Sequence, residues 1–143
     1  MKIKVLAVVA LSFVSMSSWG SAVEYCPSVG AIKHEQGIYS ASTQSGEGEW
    51  LGVSSVGKPT AIKSFEIGTF YPVSDDESKG LMNKCAYLTE SGDHVDLRYR
   101  PEQKDRYVEL VNKAQWKRYE SGFGIVTFEC TSKVDGACSF KEI

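Results

Sequence analysis

Across residues 94–100 apolar and polar side chains alternate one for one. Val95, Leu97 and Tyr99 point one way, and His94, Asp96, Arg98 and Arg100 the other. A two-residue period belongs to a strand with one buried face. The same period runs through residues 84–90, with Cys85, Tyr87 and Thr89 on one face and Ala86 and Leu88 on the other. Ser91, Gly92 and Asp93 between them supply turn chemistry, so the two segments read as a hairpin. Residues 37–43 and 50–55 flank Gly46, Glu47 and Gly48 and read as a second hairpin. A long strand is expected over 63–73, with Phe65, Ile67, Tyr71 and Val73 sharing a face, followed by a solvated loop over 75–80. Residues 124–130 and 138–143 are expected to form a terminal hairpin, with Val126, Phe128 and Cys130 facing Cys138 and Phe140. One stretch departs from this period. Tyr107, Leu110, Val111 and Ala114 stand at helical spacing and predict a short helix after Pro101, with Lys104, Asp105, Arg106, Glu109 and Lys113 on its wet side. About seven short strands and one short helix predict a small antiparallel β-sandwich or barrel.

The N-terminus bears on compartment. Lys2 and Lys4 precede an apolar run over 6–14, and then the small residues Gly20, Ser21 and Ala22. That order predicts a secretory signal over 1–22, cleaved after Ala22, and a single mature domain over 23–143. The apolar run is shorter than the roughly 20 residues of a permanent membrane span. Val23, Glu24 and Tyr25 are too large to precede a lipidated Cys26. Of 143 residues, Lys2 and Lys4 are the charged ones lost with the signal, which takes the formal charge from −2 to −4. A mildly acidic chain has no electrostatic reason to seek nucleic acid.

Four cysteines in an exported chain predict disulfides. They allow three pairings. Cys130 and Cys138 end two strand-like segments, which favours Cys130–Cys138 and leaves Cys26–Cys85 to tie the N-terminus to a central strand. A zinc site is disfavoured because no short Cys-x-x-Cys pair is present.

The chain shows no catalytic constellation and implies no metal or cofactor. His34 and His94 read as surface residues. Asp75, Asp76 and Glu77 lack the ligand spacing of a calcium loop. Glu47, Glu49, Glu66 and Asp96 could serve a glycosidase, but nothing selects a pair. Neither Gly46 and Gly48 nor Gly122 and Gly124 make a phosphate cradle. Aromatic and arginine side chains remain, the types that carry binding hot spots. Trp50 is expected in the core, and Trp116, Tyr119, Phe123, Arg98 and Arg100 form the candidate binding surface.

Cys26-Pro27, Ile32, Tyr39-Ser40-Ala41, Trp50-Leu51-Gly52, Phe65, Cys85-Ala86-Tyr87, Gly92, Trp116, Phe128-Glu129-Cys130 and Cys138-Ser139-Phe140 occur in that order. In this the chain resembles a family of small secreted gammaproteobacterial proteins described as a domain of unknown function. Some similar proteins carry further cysteines near the Tyr39 region, where this chain has none. The resemblance implies bacterial export, to the periplasm or beyond, and brings no catalytic residues with it. The expected function is that of a non-enzymatic binding module with an unknown protein or glycan partner outside the cytoplasm. The alternatives are a small secreted hydrolase of glycan or peptidoglycan, and an inhibitor of a host or competitor hydrolase presenting residues 43–49 or 74–80.

Overall fold

The computed structural model describes residues 22–102 and 106–143. The predicted signal, Ala22 apart, lies outside them, as do Lys104 and Asp105. The described residues form eleven antiparallel strands and no α-helix. These are β1 (Val23–Tyr25), β2 (Lys33–Glu35), β3 (Ile38–Ser42), β4 (Glu49–Val53), β5 (Ile62–Val73), β6 (Asp76–Thr89), β7 (His94–Tyr99), β8 (Val108–Leu110), β9 (Lys117–Glu120), β10 (Val126–Cys130) and β11 (Ser139–Glu142). Seven match the strands read from the sequence period. β1, β2, β8 and β9 are three or four residues long, too short to show a period of their own.

The β5–β6 hairpin is the spine. Along one edge of β6 runs β5, which pairs onward to β10 and β9. The other edge of β6 is shared. Residues 85–88 pair with β7, leading to β4, β3 and β2, while Gly80 pairs with Val108 of β8, leading to β11 and β1. A Cβ on Gly80 would stand 2.1 Å from the Tyr71 carbonyl, so the close crossing there requires glycine.

The two arms curl toward each other into a half-barrel. Trp50 of β4 meets Phe140 of β11 with ring centroids 5.9 Å apart, and Tyr99 of β7 meets Phe140 at 5.0 Å. Tyr39, Trp50, Phe70, Tyr87, Leu97, Val108 and Phe140 fill the interior. The buried Glu24 carboxylate accepts the backbone N–H groups of Gln44 (2.7 Å) and Ser45 (3.0 Å), so β1 holds the loop between β3 and β4. Arg100, expected on a wet face, is buried instead. Its Nη1 lies 3.5 Å from Glu142 and its Nε 3.8 Å from Glu102, ion pairs without a hydrogen bond.

Both disulfides pair as expected. Cys26–Cys85 fastens the segment after β1 to the middle of β6, and Cys130–Cys138 joins the end of β10 to the start of β11. The strands on either side of that second bridge do not pair. β10 lies between β5 and β9, and β11 between β8 and β1, so the expected terminal hairpin is instead a crossing from the β5 side of the sheet to the branch that holds β8 and β11.

Three other expectations are corrected. The segment predicted as a helix is β8 followed by a 3-10 turn over Lys113–Gln115. Val108 and Leu110 are buried at strand spacing, Leu110 pairs with Phe140, and Asn112 adopts a left-handed φ of 54° that stops any helix. In β5 the shared face breaks, because Glu66 is an extra residue between the pairs Phe65–Tyr87 and Ile67–Ala86. One extra residue turns every later side chain over. Phe70 therefore enters the core while Tyr71 faces outward. Finally, residues 76–80 are the start of β6 and not a loop. Val73 pairs with Asp76 across a tight turn at Ser74 and Asp75, and Glu77, Ser78 and Lys79 bulge out, exposed, before Pro72 meets Gly80.

Candidate binding groove

β5 and β10 begin as paired neighbours and then separate. Cys130 pairs with Gly68, Glu129 with Thr69 and Phe128 with Phe70, and the ladder ends there. Continued by two residues, the same register would set Val126 against Pro72. The hydrogen bonds of a strand alternate from one edge to the other. The Ile125 carbonyl accepts from the Ser121 N–H (2.9 Å) on the β9 side, so the N–H and C=O of Val126 face β5. Proline has no N–H to offer in return. Pro72 thus stands where the next rung would require a donor, and the strands part.

The gap is a groove of about 930 Å³. Tyr71, Pro72 and Val73 form one wall, and Ile125, Val126 and Thr127 the other. Tyr71 is 47% exposed and Ile125 62%, large apolar side chains left in water. Around them stand Asp75, Asp76, Glu77 and Glu120, four carboxylates against the one guanidinium of Arg118. Arg118 is itself engaged, with Nε 2.8 Å from Glu77 and Nη1 3.3 Å from Glu120. The pair with Glu77 bridges β9 to the bulge of β6 at the mouth of the groove, while Glu120 lies on β9 itself. Asp76 accepts the hydroxyl (2.5 Å) and backbone N–H (3.0 Å) of Ser78. These bonds hold its carboxyl below the ordinary carboxylate value, so it stays charged into acid. Lys79 also acts on Asp76 by its charge, from beyond ion-pair distance, and among the described residues no lysine or arginine lies within 4.0 Å of Asp75 or Asp76. A family model matches residues 21–141, all but the two ends of the chain.

The protein belongs to the DUF3757 family, proteins of unknown function. No curated protein and no solved structure matches the chain. The matched segment of this DUF3757 chain contains all four cysteines and every residue of the groove. Its two disulfides point to an oxidising, extracytoplasmic setting. No helix among the described residues is long and apolar enough to cross a membrane.

The five residues picked from the sequence do not share one surface of this DUF3757 chain. Trp116 is buried over Gly68 of β5, its indole N–H donating to the Ser139 carbonyl (3.1 Å), and Arg100 is buried against Gly48. Arg98 is exposed on β7 and bonds Asn83. Tyr119 and Phe123 are exposed on the β9–β10 hairpin, the one that walls the groove, with Phe123 at its tip. Sequence reasoning missed Tyr71, Ile125 and Val126. The available signal was Pro72, a proline inside a strand pattern, which demotes that stretch to an edge.

The carboxylates considered for catalysis are spread over several elements. Glu47 and Glu49 belong to the loop before β4 and its first residue, Glu66 is the bulged residue of β5, and Asp96 of β7 pairs with Lys84 at 3.4 Å. His34 stacks on Tyr39 at 4.6 Å, and His94 stands opposite Leu88. Among the described residues no three His, Cys, Asp or Glu side chains converge to hold a metal ion.

Proposed function

We propose that this protein is a non-enzymatic binding module acting outside the cytoplasm, in the periplasm or beyond, and that its groove engages a polypeptide bearing cationic and apolar side chains. The observation that carries this reading is the composition of the gap between β5 and β10. Exposed Tyr71 and Ile125 offer apolar area, and four carboxylates answered by one guanidinium surround them. Apolar patches rimmed by charge mark interaction sites, and a rim of one sign selects a partner of the other. A neutral or acidic oligosaccharide would bring no positive charge to meet those carboxylates, and nucleic acid would be repelled by them. A hydrolase reading finds less support, since the candidate acids are dispersed.

A photo-crosslinking residue placed at Ile125, and separately at Val53 on β4, tests the reading in extracytoplasmic extracts. Polypeptide adducts are expected at Ile125 and not at Val53, and they should vanish when Asp75→Asn and Asp76→Asn are combined. Equal adducts from both positions, or adducts at Ile125 that ignore the loss of charge, would remove it.

A further inference from the structure

The groove is more than an apolar patch, because one of its walls is an incomplete sheet. The ladder between β10 and β5 stops at Phe128–Phe70, and the next groove-facing residue of β10 is Val126. Its N–H and C=O point across the gap toward Pro72, whose nitrogen has no proton. A strand edge left in this state is a template for another chain. On its far edge β10 is already held by β9, through Val126–Glu120 and Thr127–Tyr119. The template is therefore braced before anything enters.

We propose that the partner enters as an extended segment and adds a strand to β10 at Val126. This rests on the binding reading above and specifies its mode. The incoming backbone exchanges hydrogen bonds with the Val126 N–H and C=O in place of the rung that Pro72 cannot form. In an extended segment successive side chains point to opposite faces. An apolar side chain lies against Tyr71 and Ile125, and cationic side chains on the alternate positions reach Asp75, Asp76 and Glu120 at the rim. Arg118 stays with Glu77 and Glu120, so the segment replaces no existing ion pair.

The gene expressed with its own N-terminal segment and purified oxidised is titrated with a short blocked peptide alternating lysine with valine. Two control peptides accompany it, one with glutamate for lysine and one N-methylated on every backbone amide. Saturable binding of the lysine peptide is expected, with roughly tenfold weaker binding of each control, the scale of one lost paired hydrogen bond or charge. Pro72→Ala restores the missing donor, lets β5 pair with Val126, and is expected to weaken the lysine peptide to a similar degree while the protein stays folded. If the N-methylated peptide and the Pro72→Ala protein both bind as tightly as the originals, strand addition is overturned while a side-chain groove for cations survives. If the lysine peptide fails to bind but charge-dependent adducts still form at Ile125, the strand mode is wrong and the binding reading stands. If neither is seen, both fall.

Discussion

The hydroxyl of Tyr99 donates to Glu142 Oε1 at 2.5 Å, joining two strands, β7 and β11, that are not neighbours in the sheet. With Phe140 packed against both Tyr99 and Trp50, this bond closes the two arms over the core. Glu142 also meets Arg100 and Arg106, so removing the hydroxyl leaves its charge answered. Tyr99→Phe is expected to cost about 1.5–3 kcal/mol of stability, read from urea unfolding as a lowered midpoint, the worth of one hydrogen bond to a charged group. An unchanged midpoint would mean that the ring contacts alone hold the arms together.

Gly48 makes room for Arg100. A Cβ at that position would lie 2.7 Å from Arg100 Nε and 2.9 Å from both Cδ and Cγ, and Arg100 is buried with little space to withdraw. Gly48→Ala should destabilise the fold by about 1–3 kcal/mol through overpacking. Combining it with Arg100→Ala should cost less than the sum of the two single changes. Strict additivity in thermal melts would show that the two residues do not compete for the same space.

The two bridges differ in reach. Cys26–Cys85 spans a separation of 59 residues and Cys130–Cys138 only 8. Chain entropy assigns about 4 kcal/mol to the longer and about 2.5 kcal/mol to the shorter. Replacing both members of each pair by alanine should therefore hurt more at Cys26 and Cys85. Equilibrium unfolding of the two double variants checks the order, and the reverse order would refute it.

Alkaline pH should unfold the protein through its tyrosines. Burial raises Tyr87 and Tyr99 well above the ordinary value of 10.0, and the bond to Glu142 raises Tyr99 further. The fold thus prefers the neutral phenols, whereas the unfolded chain ionises them first. Their stabilisation is complete below pH 10.0 and is lost as pH rises above it toward the folded values. Tyrosinate absorbance followed together with circular dichroism should show these two ionising only as the sheet unfolds. Full ionisation in a still-native spectrum would contradict the expectation.

Much of this architecture is legible in the residues. Val95 and Leu97 enter the core as their alternation requires, Trp50 is buried, and the cysteines pair as chain position favours. What misleads is local. Glu66 adds one residue to β5 and turns Tyr71 outward, an event that a period count over the segment averages away. Tyr107, Leu110, Val111 and Ala114 fit a helix, yet β11 needs a partner and takes Val108 to Leu110 as a strand, so tertiary pairing overrides spacing. The groove escapes a reading by residue type because it depends on register. Only when Phe128 is known to lie across from Phe70 does Pro72 fall opposite Val126.

The disulfides do not interleave. Cys26 is joined to Cys85, the next cysteine along the chain, and Cys130 to Cys138, the one after it. An oxidase that links each thiol to its immediate successor as a polypeptide emerges N-terminus first generates this connectivity directly. On that route the native pairing is reached without passing through a mispaired bridge, so the route itself calls for no isomerase.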